Sequence, residues 1–232
     1  MDLTNRTDLP ELMDADDLDA AIYDRCLGDL ASVNRMTFTH FPTLRFLSNA
    51  TRHLPPGSKF SILDVACGHG DLLRNIGNWA QKRGFIVELT GLDMNPRSSK
   101  AARDATPAVQ GIRFLTGDIF NFLPQTKIDF IVTSQFTHHL PDDGVIAILH
   151  WLEAMARQGW HIADLHRHVI PYYGFPVMAW MFGWHPIVRH DGTISIARSF
   201  RRADWERYLK AAGLKAKIAW YPLFRYCVSR LK

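Results

Sequence analysis

The sequence has little cysteine, no low-complexity tract and no internal repeat. Its 232 residues contain three cysteines, which are Cys26, Cys67 and Cys227. An odd number at such wide spacing predicts neither a disulfide framework nor a zinc site, and it favours a reducing compartment such as the cytoplasm. The first residues also lack the apolar core of a secretory signal peptide. We therefore expect a cytoplasmic globular protein with one main domain.

A second absence is charge, because residues 168–188 contain no Asp, Glu, Lys or Arg and are rich in aromatic side chains. The run approaches the length of a membrane span, but three prolines and two glycines should interrupt any continuous helix. We predict instead an aromatic lid at about residues 168–200 over an apolar pocket, with residues 189–192 as a polar turn leaving the lid. No membrane span is expected, and transient membrane contact while collecting an oily substrate is left open.

Charge is distributed unevenly along the chain, whose formal net charge is +4. Residues 1–19 hold seven acidic side chains and Arg6, whereas residues 198–232 hold ten basic side chains and two acidic ones. The basic residues are interleaved with apolar ones, as on the solvated face of a helix, so we expect no nucleic-acid partner. We predict a loose acidic arm over residues 1–19 and a helical cap over 20–56, followed by the main domain over 57–232.

The main domain alternates between strand and helix patterns. Strands are predicted at 60–65, 85–92, 112–115, 128–133, 160–165, 214–220 and 223–231, and helices at 71–81, 97–105, 141–157 and 203–212. This alternation predicts an α/β fold with a mostly parallel, doubly wound sheet, whose ligands bind at the carboxyl ends of the strands. Every motif described below falls at such an end.

The first strand runs into the sequence DVACGHGD, residues 64–71. Gly68 and Gly70 let the turn take a tight geometry and let a ligand approach the backbone. The following helix supplies free N–H donors at its first turn. A glycine pair alone is weak evidence for a cofactor site, since any tight strand-to-helix turn can contain one. The residues that follow the next two strands strengthen this interpretation.

Acidic residues also follow the second and third strands. Asp93 lies 23 residues beyond Gly70, where its carboxylate can accept hydrogen bonds from ribose hydroxyls, although it could instead cap the next helix. Met94 follows Asp93 in the same loop and is counted with the cofactor-binding residues. Asp118 could accept a hydrogen bond from an adenine amine while Ile119 packs on the ring.

These three strand ends together resemble the class I S-adenosylmethionine (SAM)-dependent methyltransferases, over residues 60–165. The resemblance implies a Rossmann-like sheet of seven strands with a final antiparallel hairpin, SAM as cofactor and S-adenosylhomocysteine (SAH) as product. It also implies that Asp64 and Gly68 line the methionine end of SAM. Ala66 stands where many members have glycine. A nicotinamide dinucleotide is disfavoured, because Leu73 occupies the position of the third glycine that such sites need.

The fourth strand leads into Ser134, expected beside the cofactor, and into His138 and His139. The Pro-Pro-aromatic sequence that similar methyltransferases of DNA bases carry at this place is missing, which argues against a base amine as acceptor. Histidine titrates near neutrality and can take the proton of a phenolic acceptor. We rank His139 first as the catalytic base, although any single histidine beside a helix start can simply cap or pack.

The fifth strand ends in Asp164-Leu-His166-Arg-His168. His138 and His166 are the next candidates for the base, and Asp164 is expected to orient an imidazole. Asp164, His166 and His168 could also bind a transition metal. Alternating residues at a strand end point to opposite sides, so we predict no metal site.

A finer resemblance is to small bacterial methyltransferases found beside type III polyketide synthases. It is carried by residues 32–35 (SVNR), 138–141 (HHLP), 164–167 (DLHR) and 185–205. It implies O-methylation of a small aromatic acceptor, phenolic or polyketide-derived and with or without an alkyl chain. The alternatives are C-methylation of a quinol-type ring, RNA methylation, and a non-catalytic SAM-binding partner protein. The sequence does not indicate an oligomeric state.

Overall fold

The computed structural model describes residues 2–15 and 17–232, which form eight α-helices and seven β-strands. The helices are α1 (Ala20–Met36), α2 (Phe41–Ala50), α3 (Asp71–Lys82), α4 (Pro96–Asp104), α5 (Asp142–Met155), α6 (Val169–Met181), α7 (Pro186–Arg198) and α8 (Arg202–Ala211). The strands are β1 (Lys59–Val65), β2 (Ile86–Asp93), β3 (Arg113–Thr116), β4 (Ile128–Ser134), β5 (Ala156–Leu165), β6 (Lys217–Tyr221) and β7 (Arg225–Leu231).

All seven strands belong to one sheet, in the order β3-β2-β1-β4-β5-β7-β6. Strands β1 to β5 pair in parallel, and β7 runs antiparallel to both of its neighbours. This is the seven-stranded, doubly wound architecture that the sequence predicts. The strand order reverses at β1, which lies between β2 and β4, and a parallel sheet binds its ligands at such a switch point.

The core consists of two main apolar clusters, one on each face of the sheet. Phe130 and Ile131 are consecutive in β4 yet belong to different clusters, because successive side chains of a strand point to opposite faces. One cluster holds the fully buried Trp160 and Trp205, and the other is centred on aromatic contacts around Phe60. Both faces of the sheet are therefore covered, which fixes the strand ends rigidly.

The segment without charge is interrupted as predicted, because α6 ends at Met181 and α7 begins at Pro186, with Gly183 between them. The prolines themselves do not end α6. Pro171 lies in the first turn of α6, where the missing N–H has no helical partner to lose, and Pro176 lies inside the helix.

The predicted polar turn at residues 189–192 is wrong, because these residues lie within α7. Ser195 of α7 reaches the main cavity. Among the described residues, no helix is both long and apolar enough to cross a membrane.

The acidic arm is anchored rather than loose. The Arg6 guanidinium donates to the carbonyl oxygens of Arg198, His138 and Leu140 at 2.6, 3.0 and 2.8 Å. Further along the arm, the Asp191 carboxylate accepts the N–H groups of residues 12 and 13 at 2.9 and 2.8 Å. The sequence suggested a turn because polar residues occur at 189–192. In the structure one of them, Asp191, binds the arm from within α7. They bring the arm against the loop that follows β4.

Candidate active site

The main cavity lies where β1 and β4 end, at the switch point of the sheet. Six of the residues predicted for the site contribute to its walls: Asp64, Ala66, Gly68, Ser134, His138 and His139. Other walls come from the arm and from helices that sequence reasoning did not connect with the site, through Glu11, Asn34, His40 and Ser195. The cavity thus joins the predicted methionine-binding loop to the predicted acceptor rim.

The loop between β1 and α3 has an unusual backbone. Ala66, Gly68 and Gly70 all have positive φ angles, of 56°, 51° and 73°. A Cβ atom on Gly70 would lie 2.8 Å from the Phe114 ring, so no larger residue fits there. The Asp93 carboxylate accepts the Gly68 N–H at 2.8 Å, which fixes the loop against the end of β2. The sequence motif therefore builds a tight and rigid turn.

Two polar groups in this loop and its neighbour have the properties of ligand contacts. Asp64 is 2 % exposed, and burial together with the nearby Asp71 and Asp93 carboxylates raises its pKa well above the usual range. A cationic ligand would stabilise the charge of this carboxylate, and the methionine part of SAM carries an ammonium group and a sulfonium. The Ser134 hydroxyl faces the same cavity and is buried without a hydrogen-bond partner. Both observations fit the predicted cofactor.

The residues predicted for the adenosine half lie along the neighbouring strand ends, outside the walls of this cavity. The Asp93 backbone carbonyl accepts the Gly117 N–H at 2.9 Å, which holds the ends of β2 and β3 together. Met94 is largely exposed, whereas Ile119 is buried in the core. Asp118 caps its own 3₁₀ turn by accepting the Phe120 N–H at 3.0 Å, so its contact with adenine stays a prediction.

Asp93 does not cap the helix that follows it, which was the structural alternative for this residue. The N-cap of α4 is Asn95, whose side chain accepts the Arg97 N–H. Asp93 instead accepts the Asn95 N–H at 2.9 Å in addition to that of Gly68. Burial raises its pKa, an effect that the two backbone bonds oppose. Asp93 therefore does not cap α4, and its contact with the ribose stays a prediction.

The predicted acceptor rim contains a buried pair formed by His138 and Asp164. The His138 Nδ1 atom lies 2.7 Å from the Asp164 carboxylate, which also accepts the Thr137 hydroxyl and the His138 N–H. Burial raises the pKa of Asp164, but the His138 ring and these hydrogen bonds outweigh it, and the pKa lies below its usual value. With its Nδ1–H bound to the carboxylate, His138 keeps Nε2 as an acceptor, and this atom is buried without a partner.

The arm completes this rim from the other side. One Glu11 carboxylate oxygen lies 3.7 Å from His138 Nε2, and the other lies 3.9 Å from His139 Nε2. Ser195 donates its hydroxyl to Glu11 at 2.9 Å. Burial raises the pKa of Glu11, although His139 and Ser195 oppose the rise. On the outer side, Asp14 lies 3.6 Å from His139 Nδ1.

Sequence reasoning missed Glu11 and Asp14, because they lie more than 120 positions before the histidines and in a segment that was predicted to be loose. The only local signal is the pair Leu12-Met13 between the two acids, since apolar residues in an acidic arm indicate packing. Met13 does pack against a third apolar cluster, near α1 and α7. The position of the arm over the site is set by bonds to distant elements, which a linear pattern does not show.

The structure places His166 apart from the other candidates. It does not contribute to the walls of the main cavity. It accepts the Trp220 indole N–H at 3.2 Å and packs edge-on against Tyr226. The pKa of His166 is lowered to about 4, mainly by burial and to a lesser extent by the charge of the nearby His168. Because Asp164 is engaged with His138, the alternative metal set of Asp164, His166 and His168 is not assembled either.

Comparison with known proteins identifies the family to which the chain belongs. A family model described as "Methyltransferase domain" matches residues 33–217, so the chain belongs to this family of methyltransferase domains. This confirms the class predicted from the strand-end motifs and, with it, SAM as cofactor and SAH as product. No curated protein matches the sequence significantly.

Solved structures share the fold at low sequence identity. The plantazolicin methyltransferase BpumL, in complex with a triazolic desmethylPZN analog and SAH, has a TM-score of 0.69 and 16 % identity, with 89 % of each chain covered. Magnesium protoporphyrin IX methyltransferase from Synechocystis PCC 6803, with bound SAH, has a TM-score of 0.56 and 18 % identity, covering 85 % of this chain and 83 % of that one. A SAM-dependent methyltransferase from Aquifex aeolicus has a TM-score of 0.61 and 16 % identity, covering 91 % and 97 %.

Proposed function

We propose that this protein transfers the methyl group of SAM to an oxygen atom of a small aromatic acceptor. The acceptor is phenolic or polyketide-derived, with or without an alkyl chain. The observation that carries the proposal is the His138–Asp164 pair, whose unpartnered Nε2 atom borders the same cavity as Asp64 and Gly68.

The chemistry of the two reactants explains why this pair matters. The methyl group of SAM is already activated by the positive sulfur, so the protein needs to align the acceptor with it. A hydroxyl acceptor must also lose its proton as the new bond forms. Asp164 holds His138 in a single orientation, which His139 lacks, because His139 is partly exposed and has only longer contacts with carboxylates. We therefore propose that His138 removes the acceptor's proton. This replaces His139, which we ranked first from the sequence.

Polar side chains form most of the cavity's walls, and a few apolar side chains offer a surface on which an aromatic ring can pack. The apolar side chains include Leu27 and Leu30 of α1 and Leu72 of α3. Small-molecule sites combine apolar side chains, which pack on the ligand, with polar groups that fix its orientation. This arrangement supports a single aromatic ring at the rim better than it supports a nucleic acid, which needs an extended basic surface.

The test is transfer of labelled methyl from SAM to a panel of phenols, alkylresorcinols and alkylpyrones. We expect the wild type to label at least one of them, and His138→Gln to lower turnover by about 100-fold or more. His166→Gln is the matched control, and it should keep its activity because His166 lies outside the cavity. A wild type that binds SAH but labels no compound of the panel would overturn the proposal.

C-methylation of a quinol ring is the second candidate, since it uses the same proton transfer. Mass spectra of the product separate the two, because an O-methyl group is lost as a methyl radical and a C-methyl group is not. A non-catalytic SAM-binding role predicts SAH binding with no methyl transfer to any acceptor. The unpartnered Nε2 of His138, which faces the cavity, favours catalysis over this third possibility.

A further inference from the structure

We propose that Glu11, His138 and His139 together bind one divalent transition-metal ion at the acceptor end of the cavity. Each of the three residues offers one ligand atom, and these atoms lie within 4.8 Å of one another. The ligand atoms of a tetrahedral zinc site lie about 3.4 Å apart, so a contraction of at most about 1.4 Å between any two of these atoms would close the site. The arm and the loop after β4 supply these residues, and neither segment is part of the rigid sheet.

Both imidazoles have a carboxylate on the side away from the proposed ion. Asp164 lies 2.7 Å from His138 Nδ1, and Asp14 lies 3.6 Å from His139 Nδ1. Histidines that bind metals almost always donate their second ring N–H to a carboxylate, a carbonyl or water, which leaves the other nitrogen as the ligand. In His138 the remaining nitrogen is Nε2, and the Nε2 atoms of both rings lie 3.7 and 3.9 Å from the Glu11 carboxylate oxygens. The distance of 3.6 Å between Asp14 and His139 Nδ1 is too long for a hydrogen bond and would have to shorten when the ion binds.

A second, independent observation also indicates a bound ligand, namely that His138 has a ring nitrogen without a hydrogen-bond partner. Its side chain is 2 % exposed, and Nε2 is buried without a hydrogen-bond partner. A direct hydrogen bond to Glu11 does not explain the cluster, because 3.7 Å is too long for one. A cation between the two atoms would satisfy both the nitrogen lone pair and the buried carboxylate.

The donor set indicates which kind of ion fits. Imidazole suits zinc, iron, copper and nickel, whereas magnesium and calcium prefer oxygen ligands alone. Two imidazoles and one carboxylate leave an open position, as catalytic zinc sites do. We therefore use Zn²⁺ as the probe.

The role of the ion, unlike its binding, rests on the proposed function. An acceptor hydroxyl bound at the open position would lose its proton more readily, because a divalent ion stabilises the oxyanion. With the ion bound, the Nε2 lone pair of His138 is occupied, so the proton released by the acceptor hydroxyl would pass to solvent water and His138 would act as a ligand held in place by Asp164. Without the ion, Nε2 is the group that takes the proton. The ion would also tie the arm to the loop after β4, since Glu11 lies on one and the histidines lie on the other.

The experiment uses the full chain without an affinity tag, stripped with a chelator and then titrated with Zn²⁺. We expect one tightly bound ion per chain by elemental analysis and by competition with a chromogenic chelator. Glu11→Gln keeps the shape of the side chain but removes its charge, and it should weaken binding by about 100-fold. Asp14→Asn should weaken it by about 10-fold or more, as loss of an outer carboxylate does elsewhere.

The control is His150→Ala, because His150 is an exposed histidine of α5. It should bind Zn²⁺ as the wild type does. Equal binding by the wild type and by Glu11→Gln would overturn the proposal, as would the absence of stoichiometric binding by folded wild type. These outcomes are separate from the methyl-transfer assay: a chain that binds the ion but labels no phenol retains the site and loses the proposed function.

Discussion

Gly70 shows how a single residue determines the cofactor loop. Its φ angle is 73°, a conformation that glycine adopts without strain, and the Phe114 ring leaves no room for a Cβ atom. The sequence predicted a tight turn at this position, and the structure adds the ring that makes larger residues impossible. The fit of the loop therefore depends on packing against β3 as well as on backbone freedom.

We expect Gly70→Ala to destabilise the protein by about 2–5 kcal/mol, from an unfavourable φ and from overpacking against Phe114. Gly57→Ala is the control, because Gly57 also has a positive φ but has open space around it. Gly57→Ala should lower the free energy of unfolding by about 1–3 kcal/mol, from backbone strain alone. Urea denaturation of both variants measures the difference, and equal costs would show that Phe114 yields without penalty.

The histidines show what a residue pattern leaves undecided. Adjacent in sequence, His138 and His139 have the same chemistry, and only the structure shows that Asp164 holds the first of them. The pairing of Asp164 with an imidazole follows from the sheet, because β4 and β5 are parallel neighbours that end at the same edge. The position of His166 was not predictable in this way, since it depends on its contact with Trp220 at the end of β6.

Among the elements, the arm has the largest consequence for the site. Arg6 bonds to three carbonyl oxygens, ion-pairs with Asp142 at 2.9 Å and lies over the Phe200 ring at 4.6 Å. These contacts hold the arm between α5, α7 and the loop after β4. Glu11 reaches the histidines only while the arm is in this position.

Arg6→Ala should release the arm without unfolding the domain. We expect a loss of about 2–4 kcal/mol in the free energy of unfolding, because several partly buried bonds to a charged group disappear. Hydrogen exchange of residues 2–14 should accelerate, and the Michaelis constant for the acceptor should rise. The control is Arg25→Ala, which removes an exposed arginine of α1. Unchanged exchange in the arm of Arg6→Ala would show that other contacts hold it.

Helix α6 is the element for which the sequence was least informative. Prolines predict helix ends on average, but the neighbours of Pro176 continue the helix on both sides. Tyr173, Trp180 and Met181 are more than 60 % exposed, so this helix presents an apolar surface rather than a sealed lid. The transient membrane contact left open by the sequence stays a prediction, and this surface is where it would occur.

At the scale of the whole molecule, the sheet was predictable and the distant contacts were not. The alternation of strands and helices fixes the topology, and predicted strands such as 60–65 match the observed ones within a residue or two. Two strands differ more. Strand β5 begins directly at Ala156, where α5 ends, rather than at Trp160, and β6 begins at Lys217 rather than at Leu214. The anchoring of the arm depends on bonds between residues that are more than 100 positions apart, for which no local pattern exists.

The buried His161 makes the stability of the whole molecule sensitive to acid. Its ring stacks on Phe46 at 4.9 Å, both ring nitrogens lack a partner, and burial lowers its pKa to about 3. The unfolded chain therefore binds one more proton than the folded chain between about pH 6.5 and this lower value. Stability is fully present above the unfolded pKa and falls as the pH drops.

We expect the free energy of unfolding to decrease by up to about 3 kcal/mol between pH 7 and pH 4 on account of this residue. His161→Phe keeps a ring of similar size without a titratable group, so it should flatten that decrease. His150→Ala, which changes an exposed histidine, should not. Urea titrations at several pH values give the slopes, and identical slopes for wild type and His161→Phe would assign the acid sensitivity to other groups.

Calorimetric titration of SAH into the purified protein and into Asp93→Ala tests the assignment of cofactor and sheet register most directly. We expect micromolar binding by the wild type and a loss of about 100-fold in the variant, because Asp93 is predicted to bind the ribose and its carboxylate fixes Gly68. Circular dichroism confirms that both proteins are folded. Absence of SAH binding by folded wild type would contradict the identification of this cavity as a SAM site.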